Sequence, residues 1–395
     1  MIEVADIFRQ YGDSYIQMYG NYMLPSHIRA IEDICKCRTD ALDEHLQQCD
    51  NCGYTHTFYN SCYNRNCPKC QYTQTQKWLE QKEEQFGHYR YFHVVFTVPE
   101  ELRGIIRSNQ KELYSILFNS AVYALQKLMI QKWGGGGGHA ISGQLAVLHT
   151  WSRTIGYHPH LHVLVPAGVI QNITDEGDGG DEAKKDNFQW VPIKGKFLVP
   201  LVPLAEIFRA RFHKLAKKAL PQVHFPYSIW DKKWVIYCKA PIENNHKLLE
   251  YLSRYLHRIA ITNSRILKME DGKVTFKYKK VNDSKWKMMT VTAVEFIRRY
   301  LQHVLPQGFH KIRYYGFFAP AVREKYRPLL DSMLAKQDAD ARAMRNEKKA
   351  GEEQPKFLST FKPLCPRCKK GHMVTVTVTV DSWELSSDNR APPMQ

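Results

Sequence analysis

Ten residues constrain this chain more than any others: Tyr157-His158-Pro159-His160-Leu161-His162-Val163-Leu164-Val165-Pro166. Three histidines alternate and lead directly into an apolar run. In an extended segment alternate side chains share a face, so His160 and His162 point one way, about 7 Å apart along the strand. Leu161, Val163 and Val165 point the other way, into a core. Two imidazoles at that separation can converge on one divalent ion. They can equally be packed or solvated on a sheet face, and the strand alone does not decide.

The chain of 395 residues has room for two or three domains. Its hydrophobic share of 44% is that of a folded protein, not a disordered one. Fifty-six Lys and Arg against 39 Asp and Glu give a formal charge of +17, which favours a polyanionic partner, most often nucleic acid. The start, Met-Ile-Glu-Val-Ala-Asp, lacks the pattern of a signal peptide, and no window reads as a membrane span, so an intracellular protein is expected. In that compartment ten cysteines read as metal ligands rather than disulfides.

Three sections follow from composition and periodicity: residues 1–85, helical and then cysteine-rich; a core at 86–320; and a basic linker and tail at 321–395. Within the core the patterns predict strands over 91–99, 144–150, 273–280 and 286–292 besides the histidine strand. Helices are predicted over 110–133, 203–219, 243–260 and 293–304. Gly134 to Gly138 read as a flexible loop, 171–187 as an exposed acidic loop, and 335–355 as an exposed helix or linker. Strands and helices without regular βαβ alternation make the fold class α+β.

Cys49-x2-Cys52 and Cys67-x2-Cys70 are separated by fourteen residues. Each turn brings two thiolates to one ion, and two such turns complete a tetrahedral structural Zn2+ site. A redox dithiol would explain either pair alone but not both. Cys35, Cys37, Cys62 and His45 remain for a second site, and Cys365-x2-Cys368 with His372 looks like half of another zinc knuckle. A closed four-thiolate site does no chemistry; here it would stiffen a DNA-gripping platform, with Arg65, Lys69 and Lys77 nearby.

The segment Asn244 to Ile259 has a helical period. Leu248, Leu252, Leu256 and Ile259 form an apolar stripe, Tyr251 and Tyr255 lie together at its border, and Lys247, Arg254 and Arg258 fall on the adjoining surface. Tyrosines often edge a buried stripe with their hydroxyls in water, so this pattern too has an ordinary reading.

Taken together, His160-Leu161-His162 followed by Tyr251-x3-Tyr255 resembles the two-tyrosine HUH endonucleases, and more narrowly the rolling-circle transposases of bacterial insertion-sequence family 91. The resemblance spans nearly the whole chain. It includes the Cys49 to Cys70 segment, Leu148-His149-Thr150-Trp151, the tyrosine helix, Glu295-Phe296-Ile297-Arg298-Arg299, and His303-Val304-Leu305-Pro306. It continues through Ile312-Arg313-Tyr314-Tyr315-Gly316 to Cys365-Pro366-x-Cys368. One departure is Asn66 before Cys67-Pro68, where relatives are expected to carry histidine.

The resemblance implies an HUH core, a central antiparallel sheet flanked by helices, with an N-terminal zinc module. It implies that His160 and His162 hold Mg2+ or Mn2+ on a scissile phosphate. A third ligand is expected, with His149 the first candidate and His158 the second. Tyr251 and Tyr255 would be the nucleophiles, and Lys247, Arg254 and Arg258 would hold phosphate oxygens, with Arg298, Arg299, Lys311 and Arg313 as further backbone contacts. The implied partners are single-stranded or hairpin DNA at transposon ends, target DNA, and a host helicase or replication machinery, with no membrane, in a cytoplasmic, nucleoid-associated setting. Two rival readings stand beside it: a zinc hydrolase built on the histidines, and a non-catalytic zinc-bearing DNA-binding regulator.

Overall fold

A computed structural model describes residues 1–71, 75, 90–134, 140–172, 188–242, 259–279, 285–345 and 364–378. Its helices are α1 (Val4–Tyr19), α2 (Pro25–Lys36), α3 (Leu102–Ser108), α4 (Gln110–Trp133), α5 (Leu201–Ala219), α6 (Ala293–Leu301) and α7 (Pro320–Arg345), beside short helical turns. The first eight strands are β1 (Glu44–Cys49), β2 (Thr55–Tyr59), β3 (Tyr91–Thr97), β4 (Ala140–Ile141), β5 (Gln144–Trp151), β6 (Tyr157–Pro166), β7 (Gly168–Asn172) and β8 (Phe188–Pro192). The remainder are β9 (Ile236–Ile242), β10 (Ile266–Glu270), β11 (Lys273–Lys279), β12 (Trp286–Thr292), β13 (Ile312–Tyr315) and β14 (Met373–Val378).

The histidine strand β6 is the middle strand of a five-stranded antiparallel sheet ordered β13-β5-β6-β3-β9. Its central place explains why the strand is apolar on both faces beyond the histidines. One face presents Phe92, Val94, Phe96, Leu148, Leu161, Val163 and Val165 to α4 and α5, where Leu117, Leu125, Phe208 and Phe212 complete a buried core. Truncating a residue such as Leu161 there would cost about 2–5 kcal/mol.

The opposite face is divided. Tyr91, Leu145, Val147 and Leu164 are covered by Phe317, Phe318 and Trp190 and by Tyr326 and Leu330 of α7. The other end of the same face carries the histidines. Gly316 (φ +60°) makes the turn from β13 into this cover, and a Cβ there would lie 1.6 Å from the Ser142 carbonyl oxygen. Only glycine fits.

A second core joins the N-terminal helices to α6 and the sheet β10-β11-β12. Phe8 meets Tyr300 edge to face at 5.3 Å, and Phe276, Phe296 and Ile297 are fully buried. Thr292 caps α6 by accepting from Glu295 N at 3.2 Å. A third unit is the sheet β14-β1-β2, in which residues expected in a separate tail pair with the N-terminal hairpin, Cys49 opposite Met373.

Mixed helices and antiparallel sheets agree with the α+β expectation. Contrary to the sequence reading, α4 is long and apolar enough to cross a membrane by length and composition alone. Its Leu113, Leu117, Phe118, Leu125 and Met129 are buried against the central sheet, which accounts for its hydropathy as a core helix. The helix predicted over 243–260 lies outside the described residues except at its last two positions, as do most of the glycine loop and the acidic loop.

Candidate active site and metal centres

Register brings the histidines together. His160 on β6 lies opposite His149 on β5, and His162 opposite Val147, so all three imidazoles rise from one face. One ring nitrogen from each lies within 4.8 Å of the others. His149, the first candidate for a third ligand, is in this set. His158 is not; it contributes its carbonyl, which accepts from Nδ1 of His160 at 2.7 Å. That bond directs the lone pair of His160 Nε2 toward the cluster.

His162 is oriented by a residue the sequence reading did not single out. Nε2 of His93 on β3 lies 2.8 Å from Nδ1 of His162, and the two rings stack at 5.0 Å and 7°. Burial, with lesser repulsion from Lys239 and His160, pulls His93 down to about 3, so it is neutral and can accept. With Nδ1–H of His162 as donor, its Nε2 carries the lone pair that would reach a metal. Burial also lowers His160 to about 4, which keeps it an unprotonated donor at neutral pH. Trp151 stacks on His149 at 4.5 Å and walls the cluster on that side. Among the described residues the set holds three imidazoles and no carboxylate, which suits a divalent metal with coordination positions left open.

Tyr251 and Tyr255, expected as nucleophiles, and Lys247, Arg254 and Arg258, expected on phosphates, lie outside the described residues.

The cysteines are partitioned differently from the expectation. Cys49, Cys52, Cys67 and Cys70 do not form one site. Cys67 and Cys70 gather with Cys37 and Cys62, whereas Cys49 and Cys52 gather with Cys365 and Cys368. The physical reason is the hairpin β1–β2, which carries the Cys49 turn into its own small sheet, where β14 delivers the second pair. In the first cluster the Sγ atoms of Cys37 and Cys62 each lie 3.6 Å from that of Cys70. In the second, Cys49 to Cys368 and Cys52 to Cys365 are both 3.7 Å. A tetrahedron with Zn–S of about 2.3 Å has edges of about 3.8 Å, so both clusters fit structural Zn2+.

The two centres tie different parts of the chain. The Cys37 cluster is packed into the second core, where the Tyr300 hydroxyl donates to the carbonyl of Asn66. Asn66 stands beside a set completed by cysteines, so the departure noted there removes no ligand. In the other cluster Asn51 N and Cys52 N point at Cys49 Sγ (both 3.4 Å), and Gly371 N points at Cys368 Sγ (3.3 Å). A Cβ on Gly371 would lie 2.6 Å from Cys49 Sγ. Cys35 joins neither cluster, and burial pushes its thiol up.

Several cations expected to face DNA are occupied internally. Arg65 donates to the carbonyls of Leu305, Pro306 and Phe309, at 3.1, 2.7 and 2.5 Å. Lys69 pairs with Glu3 at 2.7 Å. Arg298 and Arg299 both bind Glu295 at 2.6 Å, and Arg313 lies over the rings of Phe118 and Phe309. Lys311 lines a pocket with Arg65, Thr150, Trp151 and His303, and burial followed by the Arg65 charge lowers its amine to about 7.

Residues 7–98 match the family model described as "Transposase zinc-binding domain", and residues 143–326 match the one described as "Putative transposase". The chain is 33% identical over 395 residues to "Putative transposase y4qJ" of Sinorhizobium fredii, covering 95% of both chains. It is 25% identical over 318 residues to the "Transposase for insertion sequence element IS801" of Pseudomonas savastanoi pv. phaseolicola, covering 76% of this chain and 72% of that one. No solved structure matches it. A zinc-bearing N-terminal region joined to a sheet with a metal-competent histidine cluster is thus the build of a transposase, a DNA-processing enzyme. The chain belongs to the IS91 family of transposases.

Proposed function

We propose that this transposase is an HUH-type endonuclease and strand transferase. It nicks and rejoins single-stranded DNA at insertion-sequence ends through a 5′-phosphotyrosine intermediate, and so drives rolling-circle transposition. The observation that carries this reading is the convergence of His149, His160 and His162 at one end of the central sheet, with His93 and the His158 carbonyl fixing two of the rings.

A divalent ion, Mg2+ or Mn2+ in use, would draw charge from the non-bridging oxygens of a scissile phosphate and make it electrophilic. The protein's residues do the rest. Tyr251 or Tyr255 attacks phosphorus through its phenolic oxygen. The P–O bond to the upstream nucleotide breaks, its oxygen takes a proton as a free 3′-hydroxyl, and the downstream strand stays on tyrosine. Bond energy is conserved, so the step reverses when another 3′-hydroxyl attacks. A second tyrosine allows a second strand to be cut while the first is held. Lys247, Arg254 and Arg258, on the same predicted helix, would grip the flanking phosphates. On this reading the DNA is unpaired, and a host helicase or replication fork would supply the strand.

The test is nicking of single-stranded insertion-sequence ends by the wild-type chain and by the double variant Tyr251→Phe/Tyr255→Phe. Loss of nicking with retained DNA binding supports the proposal. Undiminished nicking favours a metal hydrolase that needs only the histidines, and absence of metal-dependent cleavage in the wild type favours a regulator.

A further inference from the structure

The sheet β10-β11-β12 buries one face only. Ile266, Val274 and Phe276 point into the second core, with Ile297 behind them. The opposite face is set by register: Lys279 beside Trp286, Lys277 beside Met288, Thr275 beside Thr290, Lys273 beside Thr292, and Lys268 across from Thr275. Trp286 is 54% exposed and Met288 72% exposed, an unusual placement for large apolar side chains on a sheet face. The ammonium groups of Lys277 and Lys279 lie 5.3 and 5.0 Å from the centre of the Trp286 ring. Among the described residues four lysines thus share the face with one carboxylate, Glu270, which is already paired with Lys268 at 2.5 Å.

An exposed indole flanked by ammonium groups matches the two needs of an unpaired nucleic acid strand: a flat ring for base stacking and cations for the adjoining phosphates. Lysines alone would suit any polyanion, and a lone tryptophan any apolar partner. Their combination on one antiparallel face, with paired threonine hydroxyls between (Thr275 to Thr290, 2.8 Å), favours a single strand.

The face is also fastened to the catalytic sheet. Arg153, in the turn joining β5 to β6, donates to the Lys279 carbonyl at 3.2 Å. Arg265 bridges the Lys277 and Arg153 carbonyls at 2.9 and 2.7 Å. The strands leaving that turn carry His149 and His160, so the Trp286 corner adjoins the turn at the base of the histidine cluster.

We propose that this face is a second DNA-binding surface, holding single-stranded DNA that continues from the cleavage site, with Trp286 stacking a base and Lys277 and Lys279 neutralising neighbouring phosphates. It rests on the reading that the substrate is single-stranded, but its test does not require cleavage. Binding of fluorescent oligothymidylate and of a duplex of equal length is measured across a salt series, using zinc-loaded full-length chain carrying Tyr251→Phe/Tyr255→Phe. Expected for Trp286→Ala is a loss of about tenfold or more on the single strand and little change on the duplex, with Trp286→Phe largely restoring affinity. Lys277→Gln/Lys279→Gln should reduce the slope of log affinity against log salt by about 1.4.

Unchanged affinity and slope in both variants overturns the proposal, as does equal loss on duplex and single strand. Loss of binding to phosphatidylserine vesicles, or of a dimer in light scattering, with single-strand affinity intact would also overturn it, giving the face to a membrane or a second copy. Failure of tyrosine-dependent nicking while Trp286→Ala still loses the single strand would sink the catalytic reading and leave this surface standing.

Discussion

Nε2 of His93 lies 2.8 Å from Nδ1 of His162, on the strand next to it, and the two rings stack in parallel. A neutral imidazole thus orients another imidazole. His93→Ala should weaken Mn2+ binding at the histidine cluster by about ten- to a hundredfold, as loss of an outer-shell partner commonly does. His93→Gln, whose carbonyl can still accept, should recover part of the loss. Titration of the zinc-loaded protein with Mn2+, followed by electron paramagnetic resonance, reads both; equal affinity in all three proteins would remove His93 from any orienting role.

The cysteine partition fixes a metal count. Two zinc ions per chain are expected by mass spectrometry of metals, and one in either Cys365→Ser or Cys67→Ser. Loss of the Cys365 site should also free the C-terminal segment to limited proteolysis, because Cys52 and Cys365 are joined across 313 positions of sequence. One zinc per chain, unaffected by Cys365→Ser, would restore the single Cys49–Cys52–Cys67–Cys70 site.

Arg65 is structural. Its guanidinium satisfies three carbonyls of the segment after α6 and is itself half-buried, and this burial lowers its pKa. Arg65→Met leaves those acceptors unpaired and should cost about 2–4 kcal/mol in urea unfolding. A change within error would mean that water reaches the carbonyls.

His303 gives a pH dependence. It is buried, donates from Nε2 to the Ile155 carbonyl (3.0 Å) and accepts at Nδ1 from Thr150 (3.1 Å). Burial lowers it to about 4 from an ordinary 6.5. Below 6.5 the unfolded chain takes a proton that the folded chain refuses, so stability falls as pH drops from 6.5 toward 4. The contribution is about 3 kcal/mol. His303→Gln should flatten that part of the pH–stability curve relative to the parent. An identical slope in both would assign the dependence to other groups.

Much of the fold was legible because its strong periods were local. The strands at 91–97, 144–151 and 157–166 and the helix at 110–133 read correctly from alternation and from apolar spacing. The edge strands β9 and β13 did not. Ile236–Ile242 contains Pro241 and mixed burial, and Ile312–Tyr315 is four residues long with every residue half-buried. Both acquire strand character from their neighbours. The histidine site was legible through the spacing of His160 and His162, whereas His93 became visible only with the register that sets Val95 opposite His162. The cysteines misled for a similar reason. Two nearby Cys-x2-Cys turns look like one site, and nothing local reveals that β14 returns to claim Cys49 and Cys52.

On the proposed mechanism the histidine cluster serves a tyrosine nucleophile. The most direct measurement traps the protein on a single-stranded insertion-sequence end in Mn2+, digests it, and maps the DNA-bearing peptide by mass spectrometry. An adduct on Tyr251 or Tyr255, absent in chelator and in His160→Ala/His162→Ala, is the expected result. Cleaved DNA with no protein attached, or an adduct on any other residue, would contradict it.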